Sequence, residues 1–209
     1  MCIRDSIYII LVLLFSGGIT AQDIAQMNID LQLSDSLTQE KEVRIYQSQG
    51  ITNYSSLFRM YKDTSENWIA VFYEHYAELE GRTKLKTNKR VLTSKSDLEF
   101  VFANLDRSYI LELPSEESIQ WKLGTRNEIE KKEYTRKEKT IVEYYSSTGK
   151  THILDGERFI VQAKGWDVTH TFSYSNPDSY LKRYPDIDEL IYMVEILNII
   201  RSEFDIWIR

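Results

Sequence analysis

Cysteine is nearly absent from this chain: Cys2 is the only one in 209 residues. No intrachain disulfide can form, so stability must come from packing, unlike most small exported scaffolds. Proline (3) and glycine (8) are scarce as well, which excludes a low-complexity or broadly disordered chain. The histidines, His75, His152 and His170, show no metal-ligand spacing, and no H-E-x-x-H occurs. G-x-S-x-G, a glycine-serine elbow and the G-x-G-x-x-G and Walker phosphate cradles are missing too. The sequence therefore names no catalytic residue, no metal ligand and no cofactor. Acidic residues (32) outnumber basic ones (26), which argues against a general nucleic-acid binder.

What is present begins with the apolar run Ile7 to Phe15. As a helix it would cover only about half of a ~30 Å hydrocarbon core, too short to span a bilayer. Ser16-Gly17-Gly18 breaks it and Ala21 offers a small residue at a cut site. That layout predicts a signal peptide over residues 1–21 and a secreted or periplasmic protein with no stable membrane span after processing. The expected positive charge at the head is missing, because Asp5 cancels Arg4. Met1-Cys2-Ile3-Arg4-Asp5-Ser6 reads instead as the translation of a transposon-type sequencing adapter (ATG-TGT-ATA-AGA-GAC-AG), in which case Cys2 is no lipid anchor. Residues 22–40 read as a mobile leader or, from the alternation of Ile29, Leu31 and Leu33, a short edge strand. Residues 41–209 are long enough for one domain with a proper core.

Val43 to Tyr46 alternates as a strand. Leu57 to Tyr61 and Trp68 to Tyr73 are aromatic, β-prone runs joined by the turn material Asp63 to Asn67, which predicts a hairpin. Ser96-Asp97-Leu98-Glu99 matches a capping box with Ser96 as the cap, ahead of a helix over about 97–109 whose face carries Leu98, Val101, Phe102, Leu105 and Tyr109. The charged stretch 126–139 is a solvated hairpin arm or loop. Strands resume at 140–145 and 158–163, with Thr148-Gly149 and Asp155-Gly156 as turn signals. Trp166 to Tyr174 alternates almost perfectly, with Trp166, Val168, His170, Phe172 and Tyr174 on the buried side. Asn176 and Pro177 cap and start a helix that Pro185 interrupts; Ile187, Leu190, Ile191, Val194, Leu197, Ile200 and Phe204 stripe its continuation.

Strands then a helix, twice over, predict an α+β fold: a twisted antiparallel sheet with two main helices, about 97–109 and 177–204, packed on one face. The recurrence suggests two β-meander–helix halves near 41–112 and 113–209.

Three groups are candidates for function. His170 among Trp166, Phe172 and Tyr174 fits the anatomy of an aromatic ligand pocket, although a hydrogen-bonded core histidine explains it as simply. His75 lies near a strand end and reads as a surface residue. Arg82, Lys84, Lys86, Lys89, Arg90 and Lys95 fall in a segment with no acid from Gly81 to Ser96. That makes either a solvated edge strand guarded by lysine or a docking patch, centred on Arg82 to Arg90, for an anionic partner. Asp186, Asp188 and Glu189 sit where a helix start favours negative charge. Together these features predict an exported, non-enzymatic domain binding an envelope or extracellular protein or glycan, with no nucleic-acid partner. A carrier of an apolar molecule between sheet and helix is the alternative, and a cofactor-free hydrolase the third.

Overall fold

The β-prone runs pair into one antiparallel sheet, seen in a computed structural model that describes residues 21–208 apart from 51, 80, 127, 147, 151, 152, 154 and 155. The elements in order are α1 (Ala21–Asp30), β1 (Glu42–Gln49), β2 (Tyr54–Lys62), β3 (Trp68–Tyr76), β4 (Lys86–Leu92), α2 (Leu98–Arg107), α3 (Glu116–Ile119), β5 (Gly124–Arg126), β6 (Glu130–Arg136), β7 (Lys139–Tyr145), β8 (Thr148–Lys150), β9 (Glu157–Gly165), β10 (Val168–Ser175), α4 (Pro177–Arg183) and α5 (Asp188–Phe204). The main sheet has six twisted strands in the order β10-β9-β1-β2-β3-β4. The α+β layout is as the sequence predicts. The two stretches of chain do not form separate meanders, however: β9 pairs with β1, so the later strands extend the earlier sheet. The charged stretch after residue 126 is a hairpin arm, β6 against β7, exposed along nearly its whole length.

One face of the sheet carries Val43, Ile45, Phe58, Met60, Phe72, Phe159, Val161, Phe172 and Tyr174 into the main core. Helices α2 and α5 cover it, with Val101, Phe102 and Leu105 from one and Leu190, Met193, Ile196, Leu197, Ile200 and Phe204 from the other. Gly165 lets this packing close: a Cβ there would stand 2.9 Å from Cζ of Phe102.

The opposite face is where the structure departs most from expectation. Residues 21–30 are neither a leader nor an edge strand but the helix α1, because Ile24 and Met27, three apart, share a side that seals Tyr46, Leu57, Val71, Tyr73 and Ile160. A buried ion cluster ties down the loop that follows. The Glu42 carboxylate accepts from Arg44 Nε and Arg59 Nε (both 2.8 Å) and from the backbone N–H of Thr38 (2.8 Å) and Gln39 (3.0 Å). Arg44 then donates to the carbonyls of Ser34 and Ser36. Burial by itself would raise the Glu42 pKa, but these hydrogen bonds and charges outweigh it and hold it below the ordinary carboxylate value.

Smaller departures have local causes. Asp97, not Ser96, caps α2, its carboxylate accepting from Glu99 N–H at 2.9 Å and Phe100 N–H. Ser96 is drawn off to the Glu203 carboxylate, and Glu99 accepts from Trp68 Nε1 and Lys41 Nζ instead, which holds its pKa down at about 2. Tyr109 lies past the helix end in a left-handed conformation, half exposed against Tyr192. Asn176 holds the cap position in the left-handed region and makes no side-chain cap bond. Thr148 and Gly149 are not a turn; they belong to β8, paired with β5. The Asp155 half of the second turn signal, His152 and residues 1–20 lie outside the described residues. Trp166 leaves the strand: with Asp167 it makes a two-residue turn, both at positive φ, between the paired Gly165 and Val168.

Candidate functional site

Beyond its apolar centre, the α1 face of the sheet turns polar. Ser48 lies two residues past Tyr46, Ser55 two before Leu57, His75 two past Tyr73 and Arg158 two before Ile160, so each shares a face with its apolar neighbour. The strand register aligns them. Ser175, Arg158, Ser48, Ser55, His75 and Thr87 form one continuous row across all six strands.

The end of α1 faces this row. Asp30 Oδ2 lies 2.7 Å from His75 Nε2, and Gln26 Nε2 donates to Asp30 Oδ1 at 2.8 Å. His75 is only 5% exposed, which corrects its surface assignment. Ser175, Arg158, Ser48, Ser55 and His75 of this row, with the helix end, line a cleft of about 580 Å³, whose other walls include Ile24, Met27, Gln49 and Asn53. That volume falls within the ~300–1,000 Å³ of small-molecule sites. Its lining mixes hydroxyls and carboxamides with the charged side chains of Asp30, Glu78, Glu157 and Arg158, the His75 imidazole and the apolar Ile24, Met27, Leu85 and Ile153. Such a lining can hold a molecule with several hydroxyls and an apolar face.

On its other flank α1 borders a second cleft, of about 590 Å³. Two of its carboxamides are already engaged: Asn28 Oδ1 and Gln162 Oε1 lie 3.0 Å and 3.4 Å from the Tyr46 hydroxyl, and Asn28 Nδ2 donates to Asp35. The first cleft is the better candidate.

The residues proposed from sequence fall elsewhere. Phe172 and Tyr174 are each 1% exposed in the main core, and the Tyr174 hydroxyl donates to the Pro114 carbonyl at 2.7 Å. His170 Nε2 is 2.7 Å from the Leu113 carbonyl, so it pins the segment after α2 to β10. Trp166, 65% exposed in its turn, stacks under Lys41 Nζ at 4.5 Å. The structure does not bring these four around one pocket. Lys86, Lys89 and Arg90 lie on β4 at the sheet edge, with Arg82 and Lys84 in the segment before it. Asp188 and Glu189 occupy the first turn of α5, where Glu189 pairs with Lys122.

Asp30, Ser48, Ser55 and the inward role of His75 escaped the sequence reading. The only trace was the polar continuation of each apolar alternation, which looks the same as a strand running out into solvent.

Among the described residues no group of three or more His, Cys, Asp or Glu side chains is placed to hold a metal ion, and no helix is long and apolar enough to cross a membrane. The chain matches no protein-family model, no curated protein and no solved structure.

Proposed function

We propose that the protein is an exported binding domain whose α1 cleft holds a small hydroxyl-rich ligand, such as a sugar unit of an envelope or extracellular glycan. The leader-like head supports the location. The observation that carries the ligand class is the row Ser48, Ser55 and His75 closed by Asp30 in an open cleft of about 580 Å³. Native mass spectrometry of the protein recovered from its own periplasm or medium, followed by titration with neutral mono- and disaccharides, tests it. A retained or titrated sugar should bind roughly ten-fold or more weakly to Ser55→Val and His75→Ala, each of which removes a hydrogen-bonding partner worth ~1–3 kcal/mol. Sugar binding that both substitutions leave untouched, or none at all, refutes the reading.

The same cleft supports a second reading. Asp30 orients His75, and Ser55 is the direct cross-strand neighbour of His75, an arrangement that approaches the nucleophile–base–orienter logic of hydrolases. Covalent labelling of Ser55 by a fluorophosphonate, lost in His75→Ala, would favour hydrolysis over plain binding. No comparable observation favours an apolar carrier.

A further inference from the structure

Strand β4 carries a chemistry separate from the cleft. Among the described residues its one neighbour in the sheet is β3. Alternate N–H and C=O groups therefore face outward, as on any edge strand. Residues Lys86 to Val91 are exposed, Val91 at 74%, and the strand contains neither proline nor glycine to interrupt it. Lys95 is committed to Asp205 at 2.6 Å. Among the described residues, none of Arg82, Lys84, Lys86, Lys89 and Arg90 lies within ion-pair distance of a carboxylate.

Lysines on an edge strand usually deter a further strand by holding charge over the open edge. Here the cations lie over the neighbouring strand instead. Lys86 Nζ is 5.7 Å from the ring centre of Tyr76, Lys89 Nζ 5.6 Å from that of Tyr73, and the Arg90 guanidinium 5.1 Å from that of Phe72, all three rings on β3. Cation–π attraction accounts for the placement. Alternation puts Lys86 and Arg90 on one face of the sheet and Lys89 on the other. An open row of backbone groups is thus flanked on both faces by positive charge, with the exposed Val91 after it, while Arg90 also shares a surface hollow with Glu74, Glu157 and Asp205.

We propose that β4 docks an extended acidic polypeptide segment as an added strand. The segment's backbone bonds the open edge, and its carboxylates meet Lys86 and Arg90 above and Lys89 below. A second copy of this chain is a poor occupant, because β4 against β4 sets cation beside cation. An anionic glycan could read the charges but not the backbone.

Amide NMR of the full chain, titrated with a capped octapeptide of alternating glutamate and threonine, tests this. The amides of Lys86 to Leu92 should shift, and the triple variant Lys86→Gln, Lys89→Gln, Arg90→Gln should weaken binding about ten-fold while core amides stay in place. The same peptide methylated at every backbone nitrogen should lose binding, and oligogalacturonate should bind more weakly than the unmodified peptide. The proposal is overturned if the β4 amides do not move, if the methylated peptide binds as well, or if oligogalacturonate binds as tightly as the peptide. None of these readings depends on Ser55 or His75, so failure here leaves the cleft untouched.

Discussion

Glu42→Gln removes the buried charge at the centre of a largely buried cluster and little else in shape. Four donors converge on that carboxylate: Arg44 Nε, Arg59 Nε and the N–H groups of Thr38 and Gln39. A carboxamide has one oxygen to accept and an NH₂ that cannot, so two donors are left facing donors. Arg44 and Glu42 side chains are 1% and 0% exposed, and water cannot easily repair the loss. Breaking a buried pair by removing one partner costs about 3–5 kcal/mol, a large part of the ~5–15 kcal/mol stability of a whole domain. For a chain of this size that corresponds to a melting temperature lower by roughly 6–20 °C. Urea unfolding followed by tryptophan fluorescence should show a lower midpoint at unchanged slope. The pH dependence supplies a second check. Because the folded state holds Glu42 below its ordinary pKa, its stabilisation is complete above the unfolded value near ~4.3 and is lost as pH falls through the lowered folded value. The gap between the parent protein and Glu42→Gln should therefore narrow on acidification below about pH 4. As a control, Arg107→Ala breaks the exposed pair with Glu195 and should cost less than ~1 kcal/mol. A Glu42→Gln loss no larger than the control would refute the view that this cluster holds the N-terminal loop.

Gly165→Ala should destabilise by about 1–3 kcal/mol in the same urea assay, because the new methyl meets the Phe102 ring and Phe102 is itself 2% exposed with little room to yield. Glu138→Gly should do the reverse: Lys137 and Glu138 both hold positive φ in the tight turn between β6 and β7. Relieving one such residue should add up to ~1 kcal/mol of local stability, read as slower hydrogen exchange in that hairpin.

Much of the architecture follows from local pattern. Alternation at 43–46, the β-prone runs at 57–61 and 68–73, and the 3.6-residue stripe of 187–204 each specify an element, but the two runs are apolar on both sides, and only the fold shows α2 and α5 covering one face and α1 the other. The charged composition of 126–139 likewise marks an arm with no core to pack against. What one-dimensional pattern could not carry is which strand lies beside which, and in what register. Helix α1 was hidden because Ile29, Leu31 and Leu33 alternate while Ile24 and Met27 recur helically; only the presence of Tyr46, Leu57 and Tyr73 beneath decides between them. His170 seemed the functional histidine because its own strand is aromatic, and His75 the idle one because its strand was ending. Tertiary contact reversed them: Leu113 gives His170 a backbone partner, while Asp30, 45 residues before His75 in the chain, gives His75 a partly buried carboxylate at the rim of a cleft. Side-chain direction is a local property of the backbone and can be read from the sequence. The polar row from Ser175 to Thr87 exists only once six strands have paired, because register depends on contacts between residues far apart in the chain.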